Sequence, residues 1–109
     1  MEIVLTAILV SVVLHTATGS RSIGHNAAIA VGSTVALLGL FASPISGASM
    51  NPARTLAPDL VGVNFTGWWA CISGDLIGAV IAVSLIALVR GMPDKAERAV
   101  AQGGGGLPQ

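Results

Sequence analysis

Long apolar runs alternate along the chain with short polar breaks. Three runs stand out, at 2–18, 27–43 and 68–89. Each is close to the 17–25 residues that cross a bilayer as a helix, so the pattern predicts three transmembrane helices. The first is at the short end of that range. A polar stretch, Gly-Ser-Arg-Ser-Ile-Gly-His-Asn at 19–26, separates the first two. The break between the second and third is of another kind. Residues 44–66 carry Pro44, Pro52 and Pro58 with several Gly, Ser and Asn, yet the only charges are Arg54 and Asp59. A solvated loop is more polar than this. The composition predicts a segment held inside protein at membrane depth, where irregular backbone is tolerated if it lines a cavity. After Arg90 the chain turns polar, and a glycine run occupies 103–106. Residues 91–109 are expected to form a mobile tail with at most a short helix near 94–101.

Composition strengthens the membrane reading. Of 109 residues, 53% are hydrophobic and 9% charged, against roughly 25% charged in soluble domains. A soluble chain of this length could not hide so much apolar surface. Formal net charge is zero, which points to no nucleic acid or acidic partner. The single cysteine, Cys71, excludes an intramolecular disulfide and reads as a small packing residue. The run at 3–14 followed by Thr-Ala-Thr-Gly resembles a secretory signal, but Glu2 stands where such a signal is basic, which favours a membrane helix.

Charge also sets an orientation. Arg21 follows the first span, and Arg90, Lys95 and Arg98 follow the third. Both regions fall on one side of a three-span chain, and the positive-inside rule makes that side cytoplasmic. Arg54 alone breaks the pattern, and an arginine at membrane depth is a functional candidate.

The chemistry concentrates around Arg54. Asn51 is a favoured N-cap and Pro52 suits the first helical position, so 51–58 reads as a short helix that Pro58 ends at or before Ala57. Two turns cannot span a bilayer. Such a half-helix would enter from one face and aim its unpaired N–H groups, with their partial positive charge, into the membrane interior. The Asn51 amide adds donors there. A positive, donor-rich spot in a pore repels cations and orients a neutral solute by its oxygen. The small residues at 46–49 would offer a row of carbonyl acceptors if extended. No paired carboxylates, phosphate loop or His/Cys ligand cluster is evident, so neither catalysis nor a metal or other cofactor is expected. Asn-Pro alone is a common turn starter; its setting in an uncharged, membrane-depth loop is what gives it weight.

Ser-Gly-Ala-Ser-Met-Asn-Pro-Ala-Arg at 46–54 closely resembles the second signature of the major intrinsic protein family, the aquaporins and glycerol facilitators. The similarity also takes in Glu2, the Leu-His-Thr-Ala-Thr-Gly segment at 14–19, Trp68-Trp69 and Gly-x-x-Ile-Gly-Ala at 74–79. It implies an all-α membrane protein: three transmembrane helices and one re-entrant half-helix, equivalent to the second inverted repeat of that fold. Residues 1–90 would form the membrane domain. The family is usually homotetrameric, with one pore per subunit, in the plasma (inner) membrane.

By position, the resemblance makes Asn51, Pro52 and Ala53 one of two facing Asn-Pro-Ala motifs at mid-membrane. Arg54 would be the arginine of the outer selectivity filter, with Gly39 and Ala48 at two other filter positions. Gly47, Ala48 and Ser49 would present pore-lining carbonyls, and Glu2 would be a buried carboxylate bracing the loop. Other readings stand beside these. Gly39 would equally serve close helix packing, Glu2 would equally be solvated, and His15 reads better as a helix-end residue than as a gate. His25 reads as a solvated loop residue, and Trp68 and Trp69 as interfacial anchors.

Three features depart from the family. The chain holds one half of an inverted repeat whose pore forms between two halves. A path would then need a first-repeat half or an oppositely oriented second copy, and the basic residues favour one orientation. Asp75 stands where the family often has proline; a carboxylate there costs a few kcal/mol unless paired or protonated. Thr55 differs from the aspartate of glycerol facilitators and favours water, whereas Gly39 and Ala48 are small and favour larger solutes. The expected function is a passive channel for water or small uncharged solutes, with a glycerol-like or metalloid-acid facilitator as a variant. A truncated, non-conducting membrane fragment is the competing reading.

Overall fold

The computed structural model describes residues 1–17, 21–92 and 94–101. The end of the 2–18 run and the glycine-rich part of the tail, 102–109, lie outside the described residues. Five helices follow in order: α1 (Glu2–Ala17), α2 (Arg21–Ser46), α3 (Pro52–Gly62), α4 (Trp68–Arg90) and α5 (Lys95–Ala101). Among the described residues there is no strand.

The stretches Asn26–Ser46 in α2 and Trp68–Arg90 are long and apolar enough to cross a membrane. At 1.5 Å per residue, the 23 residues of α4 reach about 34 Å. The 16 residues of α1 reach about 24 Å and the 11 of α3 about 16 Å. Large apolar side chains face outward along the long helices, including Leu37, Leu40 and Phe41 on α2 and Leu76, Val80 and Leu88 on α4. Helices apolar on so much of their surface are suited to lipid, not water.

α2 is longer than the 27–43 run at both ends, starting at Arg21 and passing through Pro44 to Ser46. α3 likewise passes through Pro58 to Gly62 instead of stopping before it. A helical proline removes one hydrogen bond, but its fixed φ is itself helical, so the ladder is interrupted without the helix ending. α3 closes on Val63 in the left-handed conformation, whose N–H bonds back to the Asp59 carbonyl. α5 begins with a reciprocal cap: Asp94 Oδ1 accepts from the Lys95 N–H, and Glu97 accepts from the Asp94 N–H.

α1 is the central element, packed against both α2 and α4, while α3 packs on α4. The α1–α4 contact depends on two glycines. A Cβ at Gly74 would lie 2.9 Å from Glu2 Cβ. One at Gly78 would meet the Ile3 carbonyl oxygen and come within 3.0 Å of Thr6 Cβ. Small residues therefore let the two backbones close on each other, which brings the first turns of α1 against α4. The core lies at that same end of the molecule: Leu5 from α1, Leu38 and Ala42 from α2, and Ala48 and Met50 from the connection, with Leu9 and Val35 beside them.

Candidate functional site

The connection between α2 and α3 is short and tightly held. Its backbone is not uniformly extended. Gly47, Ala48 and Met50 have φ of 81°, 46° and 50°. Only glycine adopts such values freely; at Ala48 and Met50 they cost on the order of 1–3 kcal/mol each. Two things offset the strain. Ala48 and Met50 are 1% and 6% exposed, packed into the apolar cluster. The polar atoms of the segment converge on one carboxylate.

That carboxylate is Glu2, 5% exposed. Its Oε1 accepts from the Ser46 hydroxyl at 2.6 Å, and its Oε2 accepts from the Met50 N–H at 3.0 Å. Ser49 Oγ lies 3.2 Å from the same Oε2. Hydrogen bonds to a charged group are worth about 1.5–3 kcal/mol each, enough to balance the backbone strain. Ser49 Oγ also lies 3.1 Å from Asp75 Oδ2, and the Thr6 hydroxyl donates to Asp75 Oδ1 at 2.8 Å. Glu2 and Thr6 are one turn apart on α1 and so share a face. Asp75, 2% exposed, reaches them from α4 across the glycine contact.

Downstream, Asn51 has an extended backbone, φ −161° and ψ 121°, and its Oδ1 accepts from the Ala53 N–H at 2.9 Å. Pro52 fills the first helical position. Because Oδ1 is committed to the cap, the Nδ2 donors of Asn51 are left for whatever approaches the helix end. Arg54 follows on the first turn, its side chain exposed. At the start of α3, then, the Asn51 amide and the Arg54 guanidinium are both exposed within one turn of each other.

The other residues singled out from sequence are spread around this point. Gly39, on α2, is half-buried, and a Cβ built there meets nothing within 4 Å. Ala48 turns its methyl into the core, and Ser49 turns its hydroxyl to the carboxylates, so what these two can offer a passing molecule is backbone. Gly47 is exposed. His15 is exposed at the end of α1, its Nδ1 2.7 Å from the Ser11 carbonyl one turn back. Trp68 and Trp69 are exposed at the start of α4. Sequence reasoning gave Thr6 no role and left Asp75 without a partner. The signal for both was polar residues inside apolar helices, Glu2 and Thr6 four apart and Asp75 between two glycines.

Comparison with known proteins matches the sequence to one family. The family model described as major intrinsic protein covers residues 1–86. Among curated relatives, aquaporin NIP1-4 of Oryza sativa subsp. japonica is 42% identical over 97 residues, 89% of this chain and 36% of that protein. Aquaporin NIP1-3 of the same plant is 48% identical over 90 residues, 83% of this chain and 32% of the relative. Aquaporin NIP2-2 of Zea mays is 43% identical over 90 residues, 83% of this chain and 31% of the relative. The chain thus spans about a third of the length of the curated relatives it matches. No solved structure matches it. The family match and the apolar helices together indicate an integral membrane protein.

Proposed function

Because the chain belongs to the major intrinsic protein family, we propose that it forms one wall of a passive transmembrane channel for water or small uncharged solutes. The observation that carries this reading is the strained 47–50 segment, latched by Glu2 and leading into the capped start of α3. Fixed donors from Asn51 and the Arg54 guanidinium select for neutral molecules that offer an oxygen, and their positive charge opposes cations. A fixed geometry is required, because a donor that follows the solute cannot discriminate. The latch on Glu2 supplies that geometry.

In this reading α1, α2 and α4 span the plasma membrane, and α3 is a re-entrant half-helix of about 16 Å. Arg90 and the tail lie on the cytoplasmic side. The exposed faces of α2 and α3 close the path against a complementary half or a second copy. The filter positions are Arg54, Gly39 and Ala48. Gly39 and Ala48 are both small, which suits solutes wider than water, of the glycerol or metalloid-acid kind.

Stopped-flow light scattering on vesicles carrying the chain tests the proposal. Shrinkage in an impermeant osmolyte faster than in bare lipid reports water passage. Re-swelling in glycerol or boric acid reports the wider solute class. Rates equal to bare lipid for all of them would leave the chain a non-conducting membrane protein.

A further inference from the structure

Asp75 does no work in the channel reading so far, yet it is only 2% exposed. Resting on that reading, we infer that Asp75 is a positioning residue for the 46–50 segment: it holds the segment from α4 through Ser49, and together with Glu2 it forms a carboxyl pair that carries one proton between them.

The count of hydrogens leads there. Ser49 Oγ lies 3.1 Å from Asp75 Oδ2 and 3.2 Å from Glu2 Oε2. A hydroxyl has one hydrogen to donate and two lone pairs to accept with. With both carboxylates ionised, only one of the two contacts would be a hydrogen bond. The other would set a lone pair against an anionic oxygen. A single added proton completes both: Asp75 Oδ2–H donates to Ser49 Oγ, and Ser49 Oγ–H donates to Glu2 Oε2.

The direction of that relay follows from the remaining donors. Glu2 already accepts from the Ser46 hydroxyl and the Met50 N–H. Asp75 accepts otherwise only from the Thr6 hydroxyl among the hydrogen bonds described. The better-served carboxylate is the one that keeps the negative charge. Two like charges bridged by one small group cannot both ionise at low cost, and such a pair titrates as a unit.

Among the described residues no cationic side chain is hydrogen-bonded to the pair, and the Met1 amino group, which adjoins Glu2 in the chain, makes no hydrogen bond with either carboxylate. α1 presents Glu2 itself, and α2 from Asn26 to Ser46 carries no charged residue. α4 carries Cys71 one turn before Asp75, half-buried. α3 carries Arg54, which is exposed, and Asp59, which is half-buried. Neither of these two side chains is hydrogen-bonded to the pair among the described residues. The shared proton therefore does what a cation would do elsewhere, and the segment before Asn51 is tied to α1 and α4 at once.

The test uses the full chain in neutral-lipid vesicles and two readouts, neither of which needs conduction. Infrared spectroscopy in D2O at pH 7 is expected to show the C=O band of one protonated carboxyl group, lost in Asp75→Asn. Hydrogen exchange at the Met50 amide is expected to lose protection as alkaline pH strips the pair of its proton. Asp75→Asn, whose amide donates to Ser49 at any pH, should stay within about twofold of wild type at pH 7 and show no such loss. Asp75→Ala should reduce Met50 protection about tenfold. A missing band at pH 7, a band that survives Asp75→Asn, or the same pH response in wild type and Asp75→Asn overturns the inference. Should Asp75→Ala fail to fold, the infrared band and the Asp75→Asn comparison still decide. Osmotic permeability of the same vesicles is read separately, so failure of the channel reading is distinguished from failure of the shared proton.

Discussion

Replacing Glu2 with alanine removes the point on which the 46–50 segment converges. The Met50 N–H, the Ser46 hydroxyl and one contact of Ser49 lose their acceptor together. Met50 is only 6% exposed, so its N–H is left buried without a partner, at about 1–3 kcal/mol. The lost charged hydrogen bonds are worth about 1.5–3 kcal/mol each and are not additive. The strain at Ala48 and Met50, on the order of 2–6 kcal/mol together, favours opening with or without Glu2, and it is these bonds that hold it in check. The balance therefore swings toward local opening by about 3 kcal/mol, and at 1.4 kcal/mol per tenfold that is about a hundredfold. Hydrogen exchange at the Met50 amide in lipid nanodiscs reads this directly. Glu2→Ala should exchange about a hundredfold faster there, while amides in the middle of α4 keep their wild-type rates. A Met50 rate within about threefold of wild type would refute the idea that Glu2 holds the segment in its left-handed conformation.

Other outcomes follow from the same geometry. Asn51→Ala removes the acceptor for the Ala53 N–H and should cost about 1 kcal/mol, seen as roughly fivefold faster exchange at that amide. Gly78→Ala drives a methyl into the Ile3 carbonyl and Thr6; it should destabilise α1 against α4 by about 1–3 kcal/mol in a denaturant titration in mild detergent. Gly39→Ala meets open space and should leave stability unchanged or raise it by up to about 1 kcal/mol in the same titration.

The 46–54 segment was legible because its oddities are local. An N-cap residue, a proline at the first helical position and an arginine in an apolar loop each carry meaning within one turn. The all-helical character was legible for a similar reason, since the runs of α2 and α4 are too long and too apolar for other use. Helix ends were less so. Pro58 read as a stop, but a proline already in helical φ interrupts a ladder without ending it. The backbone of 47–50 was left open by the sequence, because small residues permit either conformation and the segment is held by Glu2, more than forty positions away. Asp75 was visible as an anomaly, while its partners were hidden until the Gly74 and Gly78 contact with α1 placed Thr6 and Ser49 around it.

The central claim is that the start of α3 lines the path of the solute. It is tested most directly by placing the only thiol of the chain at position 54, as Arg54→Cys in a Cys71→Ala background. Osmotic water permeability of vesicles is then measured before and after treatment with a membrane-impermeant thiol reagent. Permeability above bare lipid is expected before treatment, with reaction from the water phase and a fall to the bare-lipid rate once the label is attached. Labelling that leaves water flow unchanged would contradict it.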